Sequence, residues 1–355
     1  MKKILVIVCT LIMAFYIVAC GSGQPVTTPE AGNENVETAA EEAVEALTEA
    51  ENTVDGDFTI GFCGMTLNNE YHIILANAVK KAAEDAGIKC EIQAGSEHAS
   101  VDEQLVIIEN FINEGVDGII LVPASSQGLI SALEDCKGAG IPVINLDTKL
   151  AQDTLDALGQ DIPFYGTDNF VGGQQTGEFF AKKFPEDGTK VAILRGVQGQ
   201  TNDDDRYNGF LDKAGKIDLV AEQHCDWETD KAYTAIQNIL QANPDLRAIY
   251  CENDLMGLGA YQAVDEAGLA DEVTIFSYDG VVAGLEAVVN GHFVSTCAQQ
   301  PIEMGRLGVE NMIKIFGGGQ AEKYIDTGCK LVTDENAKEV LETTKQYTEE
   351  VSPTK

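Results

Sequence analysis

Positive charge is scarce in this chain, and so are the residue patterns of catalysis. Against 58 Asp and Glu stand 23 Lys and Arg, a formal charge of -35 at pH 7, and no Lys or Arg falls between Lys3 and Lys80. That balance excludes a nucleic-acid partner, because phosphate binding needs a cationic face that displaces counterions. Strongly anionic small ligands are disfavoured for the same reason. The four histidines stand apart at 72, 98, 224 and 292, and no GxSxG, HExxH or Walker pattern occurs. His224, Cys225 and Asp226 cannot form a triad alone, since neighbours on a strand point to opposite faces. Gly196-Val197-Gln198-Gly199 lacks the GxGxxG spacing of a dinucleotide loop, and no cofactor is expected. No metal is expected either: no CxxC pair exists, and Asp203-Asp204-Asp205 lacks the alternating ligands and the glycine of a calcium loop. Apart from Cys9 and Cys20 the cysteines are Cys63, Cys90, Cys136, Cys225, Cys251, Cys297 and Cys329. They are odd in number and mostly set in apolar runs, which reads as buried small hydrophobes rather than bridges.

What is present starts with the N-terminus. Met1-Lys2-Lys3 is basic and Ile4 to Ala19 is apolar or small, the pattern of a secretory signal. The run is shorter than the roughly 20 residues a spanning helix needs. Ile17-Val18-Ala19-Cys20 resembles a bacterial lipobox, so residues 1–20 are expected to be a signal peptide and Cys20 the lipidation site, anchoring the exported protein to the membrane. Residues 21–56 read as an acidic tether. Glu37, Glu41, Glu45 and Glu49 would stack like charges along a helix, which favours an extended chain. Fully stretched it spans on the order of 120 Å.

Beyond the tether, strand-like and helix-like segments alternate. Apolar runs at 59–63, 89–93, 118–122, 142–146, 163–167, 190–194, 219–224, 248–251, 274–277 and 293–297 have the continuous character of strands covered on both faces. Helical patterns lie between them, and glycines close several, as in INEG and CKGAG. Repeated βα units predict parallel sheets with right-handed crossovers. At 355 residues the chain exceeds what a single core of roughly 250 to 300 residues fills, so two lobes are expected. A helix near 302–316, one strand near 324–332 and a polar C-terminal helix complete the chain.

Many of these runs end on hydrogen-bonding side chains, and in a parallel sheet such groups gather along the edge where open α/β folds bind ligands. The set is Asn69, Asp147, Asn169, Arg206, Asn253, Asp279 and Gln299, with Tyr71 and Trp227 as aromatic platforms. Planar multidentate groups beside aromatic rings complement a ring of hydroxyls with apolar faces. The chain therefore reads as a receptor for a small polyhydroxylated molecule. Plainer readings exist: Arg206 solvated at a helix start capped by Thr201 or Asn202, and Asn253 and Asp279 as cap and turn residues. If Arg206 is a ligand residue, its truncation should weaken binding at least about tenfold and leave the melting temperature of the empty protein nearly unchanged.

The stretches TLNNEY (66–71), IPVINLD (141–147), TDN (167–169), Arg206-x-x-Gly209-Phe210, ENDLMGLGA (252–260), YDG (278–280) and AQQP (298–301) together carry a family resemblance. From about Asp57 to Val332 the chain resembles the type I periplasmic sugar-binding proteins, and most closely their ribose-binding branch. Transcription repressors of the same fold carry an N-terminal helix-turn-helix, where this chain has an export signal. The resemblance implies an α/β fold of two Rossmann-like lobes with parallel sheets, joined by a three-strand hinge. Residues 57–166 with 300–328 would form one lobe and 167–299 with 329–355 the other. It also implies that Asn69 and Asp147 bind hydroxyls from the first lobe, with Tyr71 as a wall. Arg206, Asn253, Asp279 and Gln299 do so from the second, with Trp227 stacking and Asn169 at the edge near the first crossing. Two positions depart from the ribose pattern. His72, also expected to bind the ligand, stands where that pattern has a second aromatic, and Thr148 follows Asp147 in place of an Arg that grips the sugar. They point to another pentose, a hexose, a polyol or a furanose-like molecule. The implied role is a monomeric lipoprotein that closes on a neutral sugar-like ligand and delivers it to the permease of an ABC importer, with no chemistry of its own. Alternatives are a receptor feeding a membrane kinase or chemoreceptor, and an exported carbohydrate-active enzyme.

Overall fold

A computed structural model describes residues 56–352. The expected signal peptide, Cys20 and the tether up to residue 55 lie outside the described residues.

The first sheet is built from β1 (Thr59–Thr66), β2 (Lys89–Gly95), β3 (Gly118–Leu121), β4 (Val143–Leu146) and β5 (Phe164–Gly166). Between them run α1 (Glu70–Asp85), α2 (Val101–Glu114), α3 (Ile130–Ala139) and α4 (Gln152–Leu158). The second sheet takes β6 (Lys190–Arg195), β7 (Asp218–His224), β8 (Ala248–Cys251), β9 (Thr274–Asp279) and β10 (Ser295–Ala298). Its helices are α5 (Asn169–Lys183), α6 (Thr201–Lys213), α7 (Thr229–Ala242), α8 (Asp254–Glu266) and α9 (Val282–Val289). The chain ends with α10 (Pro301–Phe316), β11 (Tyr324–Asp326), β12 (Lys330–Val332) and α11 (Ala337–Val351). Each sheet has six strands, ordered β11-β5-β4-β3-β1-β2 and β12-β10-β9-β8-β6-β7. All pairings are parallel except β10 with β12. The chain passes between the sheets after β5, after β10, and between β11 and β12.

The last crossing corrects one expectation. The segment 324–332 is two three-residue strands in different sheets, not one strand. Gly328 lies between them at φ +72°, a left-handed conformation that L side chains rarely adopt, and there the chain leaves one sheet for the other.

Continuous apolar strands arise because each sheet has a helical layer on both faces. Along β3, Ile120 packs in one core with Ile60, Phe62 and Ile144, while Ile119 and Leu121 pack in the opposite core with Phe111 and Leu133. In the second sheet Ala192, Leu194 and Ile249 face one core and Val191, Ile193 and Tyr250 the other. Burying one such side chain contributes about 1.5–3 kcal/mol, and trimming Ile120 to Ala would cost about 2–5 kcal/mol. The seven cysteines of the described residues are free, five of them buried. No helix among the described residues is long and apolar enough to cross a membrane.

Candidate functional site

The carboxyl ends of both sheets open onto one cavity, lined by residues of both lobes. From the first lobe, Asn69 caps α1, its side-chain oxygen accepting from the Tyr71 backbone N–H at 2.8 Å. Its Nδ2 lies 3.2 Å from Nε2 of His98. The Tyr71 hydroxyl donates to Asp147 Oδ1 at 2.8 Å and Thr148 donates to Asp147 Oδ2 at 3.1 Å. Thr148 thus orients the carboxylate next to it.

From the second lobe, Arg206 is buried on the first turns of α6, which rules out the solvated reading. Its guanidinium lies 3.9 Å from the Tyr278 ring centroid. Nε donates to Asn169 Oδ1 at 2.8 Å, and Nη1 to the Glu252 carbonyl at 2.6 Å and to Asp279 Oδ1 at 3.1 Å. Gln299 Nε2 donates to the same Asp279 oxygen at 2.7 Å. Asn253 caps α8 by accepting from the Met256 N–H, and its Nδ2 donates to the Trp227 carbonyl at 3.3 Å. The capping role is real, and it fixes the amide at the cavity wall. Burial of Arg206 argues against the expectation that its truncation would leave the melting temperature nearly unchanged. Removing one partner of a buried ion pair strands the other charge, at a cost of about 3–5 kcal/mol.

Trp227 packs against the backbone of Gly196, where an added Cβ would stand 1.9 Å from the indole. The indole N–H donates to Gln200 Oε1 at 2.8 Å. Gln200 is fully buried, and its Nε2 donates across the cleft to the Ala124 carbonyl at 2.9 Å. Thr201 adds two more bridges, from its N–H to Ser126 Oγ and from its hydroxyl to the Lys149 carbonyl, both at 3.0 Å. The lobes therefore meet over the cavity.

Strain and shifted titration concentrate here. Among the described residues the non-glycine residues with positive φ are Asp147, Asp226, Trp227 and Asp279, three of which line the cavity. Such conformations cost about 1–3 kcal/mol each and persist where the surroundings impose them. Burial raises the Asp279 carboxyl to about 6; Arg206 opposes the rise and Asp147 adds to it. Asp254, behind it, is pushed up to about 8 by burial and then by Asp279. His72 is pushed down to about 3 by burial, His98 and Arg206, so its ring is neutral near pH 7. Burial also raises Asp147.

Of the residues expected at a site, Asn69, Tyr71, His72, Asp147, Arg206, Trp227, Asn253, Asp279 and Gln299 line this cavity. Asn169 does not. It sits behind Arg206 and holds it. Met65, His98 and Asn202 line the cavity without having been singled out. His98 follows β2 as the other polar groups follow their strands, a signal the irregular stretch after Gly95 concealed. Arg195, the residue that actually ends β6, turns away from the cavity to Asp203 at 2.7 Å, Asp204 at 2.6 Å and Glu222 at 2.9 Å. Two of the three consecutive Asp residues thus anchor the start of α6. Among the described residues no group of His, Cys, Asp and Glu is placed to hold a metal ion.

Once internal bonds are assigned, both kinds of capacity remain. Arg206 Nη2 has no protein acceptor among the described residues, and one N–H each of Asn69 and Asn253 is unspent. Asp279 Oδ2 and Gln299 Oε1 remain as acceptors, while Asn202 Oδ1 and His72 Nδ1 are buried without a partner. Two sheets meeting over one such cavity define a two-lobed protein that binds a small polar solute in its cleft. A family model described as a periplasmic binding protein domain matches residues 60–320, and the chain belongs to that family. The chain is 32% identical over 278 residues to the ribose import binding protein RbsB of Bacillus subtilis, covering 78% of this chain and 88% of that one. It is 33% identical over 259 residues to the D-allose-binding periplasmic protein of Escherichia coli, covering 72% and 83%. An ABC transporter periplasmic solute binding protein from Actinobacillus succinogenes, solved with bound D-allose, superposes with a TM-score of 0.75 at 32% identity, covering 80% of this chain and all of that one. These are transport binding proteins, and this chain is a binding protein, not an enzyme. Family membership places it outside the cytoplasm.

Proposed function

We propose that this protein is the membrane-tethered receptor of an ABC importer, closing its lobes on a neutral monosaccharide or a closely related polyol. The observation that carries the reading is the unspent hydrogen-bonding capacity of the cavity, donors and acceptors mixed and contributed by both lobes, beside the indole of Trp227. Hydroxyls satisfy both kinds of group. A carboxylate ligand would meet Asp147 and Asp279, and an apolar one would leave the buried atoms unpaired. The names of the relatives, ribose and allose binders, support the same class. Closure supplies the affinity, since the first-lobe groups reach the guest only when the lobes meet. In this reading Cys20 carries the lipid, the acidic segment is the tether, the protein acts as a monomer, and a permease receives the solute from the closed form.

The test is a thermal-shift screen over D-ribose, D-allose, L-arabinose, D-fucose, D-galactose and myo-inositol, followed by calorimetry on those that stabilise. At least one should raise the melting temperature and bind with a dissociation constant in the micromolar range or tighter, because a solute that binds only the folded form stabilises it by mass action. No shift with any of these, alongside tight binding of an organic acid or an amino acid, would remove the reading.

A further inference from the structure

Asn69 can face the cavity in one orientation only. Its Oδ1 accepts from the backbone N–H of Tyr71 at 2.8 Å, a group that can only donate, so Nδ2 is the atom beside Nε2 of His98 at 3.2 Å. An amide N–H needs an acceptor there. His98 Nε2 therefore carries no proton, and the ring proton sits on Nδ1. That nitrogen lies 2.8 Å from Oε1 of Glu228, which accepts its hydrogen bond. His98 follows β2 in the first lobe and is 3% exposed; Glu228 precedes α7 in the second. The three residues form a chain that runs from one lobe, through a buried ring, to an amide of the other lobe that lines the cavity.

From this chain of contacts we propose that Glu228 is a positioning residue. Reaching across as the lobes close, it selects the Nδ1–H tautomer of His98, which holds one amide proton of Asn69 and aims the other at the bound solute. The proposal rests on the reading of the cavity as a sugar site. With the lobes apart the carboxylate is out of reach and His98 can take the Nε2–H form, which sets N–H against N–H at Asn69. The first lobe's amide donor is then completed by closure itself. Arg206 differs, because the partners that hold it all belong to segments of the second lobe. His72, with its ring centroid 5.6 Å from that of His98, brings no charge, being neutral near pH 7. The His98 hydrogen bond also keeps the Glu228 carboxyl below its ordinary range, so the acceptor is ionised near neutral pH.

The test combines a tautomer measurement with dissociation kinetics. Ser126→Cys with Thr201→Cys, oxidised, holds the lobes together without any sugar, since these positions already touch. In that protein the nitrogen-15 shifts of His98 should report Nδ1–H. Adding Glu228→Ala should populate the Nε2–H form, whereas Glu228→Gln, which keeps an acceptor oxygen, should not. In the uncrosslinked protein, with D-ribose, D-allose and myo-inositol as probes, Glu228→Ala should raise koff about tenfold with kon nearly unchanged, and Glu228→Gln should stay within about threefold. An unaltered His98 tautomer in the Glu228→Ala protein, or dissociation that ignores this substitution while sugar still binds, overturns the relay and leaves the sugar reading standing. A tautomer that responds in a protein that binds none of the probes supports the relay and sinks the sugar reading.

Discussion

The two lobes bring different kinds of group to the cavity. In the second, Arg206 is stacked on Tyr278 and held by Asn169, Glu252 and Asp279, all set on that lobe's own segments, and Trp227 rests on Gly196. In the first, Tyr71 and Thr148 hold Asp147, but Asn69 depends on His98, whose far nitrogen is satisfied from the opposite lobe. The difference teaches a division of labour. On the proposed relay, the second lobe is the formed half-site that engages a solute first, and the Asn69 contact of the first lobe matures on closure.

The comparison breaks most sharply at its charges. Arg206→Ala should weaken sugar binding by at least about a hundredfold and lower the unfolding free energy by about 3–5 kcal/mol in urea titrations, because it strands Asp279. Asp147→Asn, its first-lobe counterpart, should cost about tenfold in affinity and little stability. Equal losses in both measurements would erase the distinction. Next in size is Gly196→Ala. Its methyl group would occupy the space of the Trp227 indole, so calorimetric affinity should fall about tenfold and the fluorescence response to sugar should vanish. A full response would mean that Trp227 is not a stacking platform. Smaller again is Gln200→Ala, which removes the bridge to Ala124 and should speed dissociation severalfold without changing association. An effect confined to association would place Gln200 outside closure.

Two further tests lie in pH, one group from each lobe and of opposite sign. Asp254 has a folded pKa of about 8 against an ordinary 3.8, so its contribution to stability is present below pH 3.8 and is lost as pH rises through about 8. His72 has a folded pKa of about 3 against 6.5, so its contribution is present above pH 6.5 and is lost as pH falls toward 3. In urea titrations Asp254→Asn should flatten the decline as pH rises from 3.8 to about 8, and His72→Gln should flatten the decline as pH falls from 6.5 to about 3. Slopes identical to the parent's in either variant would contradict the corresponding assignment.

Much of this was legible in the residues. Strands buried on both faces cannot alternate, so their apolar runs stand out, and the polar residues beyond them mark the ligand edge. Asn253 and Asn69 illustrate a subtler case, in which one residue serves as helix cap and cavity wall together. What stayed hidden depends on non-local geometry. Nothing local distinguishes Asn169, which supports Arg206 from behind, from a residue that faces the cavity. Asn202 reads as a helix cap until its oxygen is seen buried and unpaired. The strained backbone of Asp147, Trp227 and Asp279 leaves no glycine as a sign. His98 owes its importance to Glu228, 130 residues away and in reach only across the closed cleft.

The central claim is that both lobes hold one sugar ring between them. It is met most directly by a crystal structure grown with the sugar that gives the largest thermal shift. The account predicts one ring in the cavity, with hydroxyls within about 3 Å of Arg206 Nη2 and Asp279 on one side and of Asn69 and Asp147 on the other. Clear density for the sugar outside this cavity, or within it but touching a single lobe, would contradict the account.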